Sequence, residues 1–414
     1  MAEAGGRSPG GVLALAWLAA FSLRTGFIGL GPLLPLLVAD LRLSATAASL
    51  LVAIPTVMMG LVSAPGGQFA DRRGAPLAIA LGLAAVTVGG AARALSGSWA
   101  ALLAATILFG AGIGLAQPAL PRLTRSLFPG RLGLATGVYA SGLIAGSITA
   151  ASLTLPVEER FFPDAGWRGP LLFWGALSAA TLLVWLVALR PWRSAGTGEP
   201  APRPRPEPSV EGSGRAAAVA PGWSPWRDRR VWIVALLFAA QGIGYYLLVA
   251  WLPAVYADLG VDAGRAGAFF GVFNAATLPA ILGFPILSDR MGSRRWPSGL
   301  ASAAFVVGAA GLVTAPTAGV LAWLWPALAG CGVAGLFAMA LLLPADVAPG
   351  GRVGAAAGMV LAVGYAGSAL GPVMAGMVRD LTGSFSAALL TLPLIGLACV
   401  ALSVMLPPPG GERG

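Results

Sequence analysis

Twelve apolar stretches of membrane-spanning length recur along the 414-residue chain, and they constrain its fold more than anything else in it. They lie at residues 11–38, 46–68, 76–95, 98–120, 132–155, 169–190, 231–256, 264–287, 298–316, 319–343, 353–377 and 384–406. About 20 apolar residues suffice for a helix to cross a bilayer. In hydrocarbon each such segment has to satisfy its own backbone, so each is expected to be a helix. Only 10% of the residues are charged, against about 25% in ordinary soluble domains. The first stretch, Gly11 to Leu23, has the look of a signal-peptide core, but apolar residues resume after Arg24 and no small-residue cleavage site follows, so it is expected to stay as a span. The fold class is therefore an all-α, multi-pass membrane protein, with both termini on one side.

The charges say which side. All 26 basic residues are Arg, with no His. Nineteen of them fall at the ends shared with the termini, Arg72, Arg73, Arg122 and Arg294 among them. Six, Arg42, Arg93, Arg160, Arg168, Arg265 and Arg379, fall at the opposite ends. An excess of Arg on cytoplasmic loops is the rule for membrane helices. Both termini are thus expected in the cytoplasm, in a cell (inner) membrane. The net charge of +10 has no binding stripe, and no nucleic-acid partner is expected. Cys331 and Cys399 each sit in an apolar segment, which excludes a disulfide framework or a clustered metal site. No cofactor and no metal are expected.

Residues 191–230, with "SAGTGEPAPRPRPEPSVEGSGR", are rich in Pro, Gly, Ser and charge and read as a flexible cytoplasmic linker. They divide the chain into six-span halves at 1–190 and 231–414. The halves repeat. "LPLLVADL" at 34–41 matches "LPAVYADL" at 252–259, an offset of 218 residues. At that offset Asp71, Arg72 and Gly74 fall on Asp289, Arg290 and Gly292. "PGRLG" at 129–133 resembles "PGGRVG" at 349–354 at nearly the same spacing. Parallel six-helix repeats place a solute site at their interface, near mid-membrane.

The stretch "GGQFADRRG", with Gly67, Asp71, Arg72 and Gly74, resembles the motif between the second and third spans of the major facilitator superfamily. The second copy keeps Asp289, Arg290 and Gly292 but has Pro285 where the first glycine would fall. "LRTGFIGLGPLLP", "GAGIGLAQPALPRLTRSLFPGR" and "AWLPAVYADLG" are similar to the cyanate permease and nitroimidazole-exporter group, as is "GCGVAGLFAMALLLPADVAPGGRVGAAAG". The resemblance implies two pseudo-symmetric six-helix bundles that transport by alternating access, with both motif copies acting in gating. Independently of it, a carboxylate at Asp71 is suited to a neighbouring helix N-terminus, and the arginines beside it to lipid headgroups.

Arg24 is the residue that most calls for a function. It lies about 20 Å along its helix from Gly11 and about 24 Å from Asp40, near the centre of a layer roughly 30 Å thick. None of the sixteen acidic residues falls mid-span. Intramembrane charges usually mark a solute path, and a lone guanidinium suits an anion that visits it. Other polar residues near that depth are Gln241 and Tyr245, one helical turn apart, with Asn274 and Tyr365. Gln117 and Tyr139 lie nearer the cytoplasmic ends. At the repeat offset Gln241 and Gly242 correspond to Leu23 and Arg24, so Gln241 is expected to share the cavity of Arg24. Each of these polar residues could equally be interhelical glue. Trp99, Trp167, Trp232 and Trp251 near span ends read as interfacial anchors.

An intramembrane enzyme would need a base, nucleophile or metal cluster at depth, and a receptor would need a signalling domain; the sequence offers neither. No Walker-type motif is present. The function expected is secondary transport of a small anionic or polar solute by a monomer in the bilayer. The alternative is an exporter of drugs or metabolites of the same fold, in which Arg24 is structural.

Overall fold

The computed structural model describes residues 9–128, 132–194, 223–349 and 352–406. It contains twelve helical segments long and apolar enough to cross a membrane, from Gly10–Leu41 and Ala45–Ser63 to Val353–Thr382 and Phe385–Val404. They are numbered here as spans one to twelve. The end at which span one begins is called the near end, and the end holding Asp40 and Thr46 the far end.

Prolines decide where the spans break. A proline has no N–H and its ring presses on the carbonyl four residues earlier. The first helices of spans one, eight, eleven and twelve end at Ile28, Ala275, Ser368 and Leu389. These residues lie four before Pro32, Pro279, Pro372 and Pro393. Span one then passes through a short 3-10 turn, Gly31–Leu33, and resumes at Leu34–Leu41. Span seven, its repeat partner, is one unbroken helix, Arg229–Asp258, with Pro253 inside it. The sequence "GLGP" in the first half and "LLVA" in the second accounts for that difference.

The two halves cross where the repeat says they should. Gly31 faces Val249, its counterpart at the 218-residue offset, and a Cβ on Gly31 would collide with the Val249 carbonyl oxygen. At the far end, a Cβ on Gly376 of span eleven would come within 2.6 Å of the Ala45 carbonyl oxygen of span two. One on Gly267 of span eight would come within 3.2 Å of the Ser152 carbonyl oxygen of span five. Toward the near end the same test at Gly137, Gly283, Gly354 and Gly358 meets nothing within 4 Å. Span six turns Leu172, Phe173, Leu183 and Val187 outward, as a lipid-facing helix does.

Several boundaries differ from the sequence reading. The helix of span six continues to Ser194, so the first four residues assigned to the linker are helical, and Pro225–Arg227 near its end forms a 3-10 turn. The rest of that segment, residues 195–222, lies outside the described residues, as do residues 129–131 and 350–351 of the two Pro-Gly stretches of the repeat. The helix carrying Glu158, Glu159 and Arg160 runs on through Pro156 to Phe161, placing these charges on a helix end. Trp251 and Trp167, expected as interfacial anchors, are buried: the Trp251 indole donates to Ser49 Oγ at 3.1 Å, and that of Trp167 to Asp40 at 2.9 Å. Arg93, counted with the charges of the opposite loops, is 1% exposed inside the first half.

Candidate functional site

Arg24 projects from the middle of span one, between buried Leu23 and Thr25, and is itself half-buried. Its guanidinium lies within electrostatic reach of three phenols, Tyr245 and Tyr246 from span seven and Tyr365 from span eleven. Thr56 of span two, whose hydroxyl donates to Val52 O at 3.0 Å, lies beside Tyr246. No carboxylate stands within 4.0 Å of Arg24 among the described residues. Arg24 and Thr56 belong to one half and the three tyrosines to the other, so the cluster forms only where the halves meet.

Aromatic packing holds the phenols in place. The Tyr245 ring lies 5.7 Å from Phe273, stacked, and 5.0 Å edge-on from Tyr246. Tyr365 packs edge-on against Phe238 at 5.3 Å, and Tyr246 against Phe27 at 5.9 Å. A Cβ on Gly60 would touch Tyr365 Cβ at 3.2 Å, so this glycine lets span two approach span eleven. The result is a fixed cation beside hydroxyls that can donate or accept, walled by apolar rings.

Of the residues named from the sequence, Tyr245 and Tyr365 meet Arg24. Gln241 is buried one turn away on span seven, and its amide has no described contact with Arg24. Asn274 is buried at the break in span eight; its Nδ2 donates to Phe270 O at 2.9 Å and its Oδ1 has no partner. Gln117 caps the first helix of span four, with Oε1 likewise unpaired. Tyr139 is half-buried on span five. Tyr246 and Thr56 were not picked out from the sequence. Tyr246 sits about 100° around the helix from Tyr245, off the face that Tyr245 shares with Gln241; the edge-on contact of the two rings and the reach of the guanidinium bring both to Arg24.

The two motif copies form separate ion networks at the near end. Asp71 pairs with Arg122 of span four at 2.7 Å, and Arg122 also donates to Pro118 O at 2.9 Å. A Cβ on Gly67 would lie 2.7 Å from the Arg122 guanidinium, so glycine there leaves room for the guanidinium in this position. Arg72 is exposed in the last turn, and Gly74 ends the helix at φ +93°, a conformation that other residues rarely adopt. In the second half Arg294 joins Asp289 at 2.7 Å and Asp346 at 2.9 Å. Hydrogen bonding to Asp289, then to Asp346, holds the Arg294 guanidinium above its ordinary range despite some burial. Arg290 lies in the last turn of its helix, and Gly292 closes it in the left-handed region at φ +58°. Each network stays within one half. Asp71 therefore meets a guanidinium rather than the helix N-terminus that the sequence suggested.

The sequence matches the Major Facilitator Superfamily over residues 16–372. The chain belongs to that superfamily. It is 28% identical to the cyanate transport protein CynX of Escherichia coli (strain K12), over 89% of this chain and 90% of that one. It is 26% identical to the 2-nitroimidazole transporter of the same strain, over 92% and 90%. The inward open structure of the xylose transporter XylE from E. coli superposes with a TM-score of 0.74, covering 97% of each chain at 14% identity. That likeness extends the major facilitator fold to all twelve spans. Like other members, this is a multi-pass membrane protein that transports small solutes and is not an enzyme.

Proposed function

We propose that this major facilitator protein is a secondary transporter of a small anionic or polar solute, working by alternating access, with Arg24 as the group that holds the solute's negative charge. The observation that carries this reading is the Arg24 cluster: a permanent cation at mid-span, without a carboxylate, among Tyr245, Tyr246 and Tyr365. An uncompensated charge at that depth is costly, by about 2.5–3.5 kcal/mol on insertion scales. A planar oxyanion or a linear anion would accept from both guanidinium edges and from phenol hydroxyls. Gln241, Asn274, Gln117 and Tyr139 belong to the same proposed path as further polar contacts. The family resemblance to a cyanate transporter agrees with this chemistry.

Sidedness completes the reading. With the Arg-rich near end in the cytoplasm, the far-end contacts close the outer mouth, and the open space around Gly137, Gly283, Gly354 and Gly358 faces the cytoplasm. The protein then works as a monomer of the inner membrane, its halves rocking about the Gly31–Val249 crossing and its ion networks steadying each half.

A second reading keeps the fold but makes Arg24 structural, in an exporter of neutral flat solutes. The aromatic walls around Tyr245 and Tyr365 favour it, together with the resemblance to a 2-nitroimidazole transporter. Thermal shifts of purified protein with cyanate, nitrate, acetate and 2-nitroimidazole, repeated on Arg24→Gln, separate the two, since ligands stabilise the state that binds them. Anion-dependent shifts that vanish in Arg24→Gln support the transporter of anions. A shift with 2-nitroimidazole alone, kept in Arg24→Gln, supports the exporter.

A further inference from the structure

We infer that Arg93 is the positioning residue for Arg24: it clamps the break in span one and so sets the depth and rotation of the Arg24 side chain. The inference deepens the proposed function and rests on it for its consequence in transport, though not for its geometry.

Span one loses a backbone hydrogen bond at its break. In a continuous helix the Gly26 carbonyl would accept from the Leu30 amide. Here the Leu30 amide turns instead to Phe27 O at 3.4 Å, as Pro32 forces the helix to end. Gly26 O is left without a backbone partner. Arg93 reaches it from the last turn of span three and donates from Nη2 at 3.0 Å. A cation at the carbonyl end of a helix is also favoured by the aligned peptide dipoles.

The rest of the arrangement serves this one bond. The Arg93 guanidinium lies 3.7 Å over the Phe109 ring of span four, which fixes its plane. Gly26 is the residue that lets the three elements meet, since a Cβ there would sit 3.1 Å from the Phe109 ring. Arg93 is 1% exposed, and its Nε and Nη1 have no hydrogen-bond partner among the described residues. A buried cation so incompletely paired is a poor stabiliser of a fold, and an apolar side chain of similar volume is usually better. Its one strong contact is therefore the function left to explain it.

Position makes the contact matter. Gly26 lies two residues beyond Arg24, so the two point to nearly opposite sides of the helix. Arg93 grips the side facing spans three and four, and Arg24 projects toward the tyrosines of the other half. The second half is a built-in control. Span seven is unbroken, and span nine, the counterpart of span three, carries no basic residue after Arg295. A break in the first span of the half and a buried arginine beside it occur together in the first half, whereas span seven is unbroken and no arginine of the second half is buried among the described residues.

The test reads the orientation of residue 24 directly. In a background with Cys331→Ser and Cys399→Ala, Arg24→Cys is labelled with the anionic reagent sulfonatoethyl methanethiosulfonate, and the rate is compared after adding Arg93→Met or Arg93→Lys. Without the clamp the Gly26 carbonyl has no partner and the joint at the break loses its fixed angle, so residue 24 is no longer held toward the gap and Arg93→Met slows labelling about tenfold. Arg93→Lys, which keeps a charged donor on a slightly shorter side chain, holds the rate nearer that of the parent. Gly358→Cys, on span eleven, reports general unfolding and keeps its rate. If Arg93→Met does not fold, Gly26→Ala approaches the same joint from the other side and gives the same slowing. An unchanged rate in a folded Arg93→Met or Gly26→Ala variant overturns the inference. With Arg24 intact, Arg93→Met also raises the dissociation constant for cyanate about tenfold. If Arg24→Gln binds cyanate normally, the transport reading fails while the labelling result still decides the role of Arg93.

Discussion

Asp380 and Thr46 stand 334 residues apart in the chain and meet at 2.6 Å, carboxylate to hydroxyl, across the two halves of the protein. The same carboxylate accepts from the backbone amides of Ala45 at 2.7 Å and Thr46 at 2.9 Å, capping the helix of span two from outside its own half. Beside it, Trp251 of span seven stacks on Phe385 at 4.4 Å and shares Pro372 O with Ser49 of span two. On the alternating-access reading proposed above, this far-end seam has to part for the far end to open.

Asp380→Asn should therefore favour opening of the far end. The amide keeps one oxygen acceptor but turns N–H donors toward one of the two backbone N–H groups that the carboxylate accepts from. Charge-assisted hydrogen bonds contribute about 1.5–3 kcal/mol, and exposure of Asp380 reduces that to about 1 kcal/mol, or roughly fivefold in the opening equilibrium. Spin labels at Leu95 and Leu381, exposed at the far ends of the two halves, should move to longer separations in the variant. An unchanged distance distribution would remove Asp380 from the seam.

Arg24→Lys should weaken anion binding rather than preserve it. Lysine keeps the charge but has neither the planar fork nor the reach to span Tyr245, Tyr246 and Tyr365 together. Cyanate affinity in this variant should fall between wild type and Arg24→Gln, while melting temperature stays close to wild type in both. Equal affinity in Arg24→Lys and wild type would show that charge alone is recognised.

Much of this architecture is written in the sequence, and the limits are instructive. Spans and repeat follow from apolar length and from matched short motifs, because a bilayer admits little besides helices. The Arg24 region is legible for the same reason, since a charge at mid-span stands out against its surroundings. Arg93 is not: it lies at a span end, where a loop arginine and a buried one look alike, and only the packing of Gly26 and Phe109 separates them. Trp251 and Trp167 were misplaced in the same way, because a tryptophan near an interface anchors to lipid or donates inward according to what faces it. The partner of Asp71 required the fold, as Arg122 is 51 residues away on another span.

Gly67→Ala and Asp71→Asn should share a phenotype: slower transport with nearly normal solute binding. Alanine at 67 pushes on the Arg122 guanidinium, and asparagine at 71 removes its ionic partner. The pair is well exposed, so its loss changes stability by less than about 1 kcal/mol. The Arg24 cluster is untouched by either change. Uptake into proteoliposomes and equilibrium binding, measured side by side, test this; a variant that binds poorly yet cycles normally contradicts it.

Sidedness can be read by labelling intact cells in the cysteine-free background. Glu159→Cys, on the exposed far end of span five, should react with an impermeant maleimide added outside. Arg227→Cys, exposed just before span seven, should react only after the cells are opened. Reaction at Arg227→Cys in intact cells would reverse the orientation and, with it, the mouth that is closed.

Gly31→Ala is the sharpest test of how the halves move. The added methyl group would collide with the Val249 carbonyl oxygen, part of a helix backbone that cannot step aside as a side chain does. In the present arrangement the halves touch at this point, so the alanine acts as a wedge between spans one and seven. Each half keeps its own packing, since the clash lies between them, and the variant should fold and insert. The far end should then be unable to close fully. The spin-label pair at Leu95 and Leu381 should report a longer separation, as in Asp380→Asn, but without recovery when solute is added. Transport should fall much further than in Asp380→Asn, because a hydrogen bond can re-form in each cycle whereas a steric wedge persists. If Gly31→Ala transports at the wild-type rate, the halves do not pivot on the Gly31–Val249 crossing, and the repeat axis is not the axis of motion.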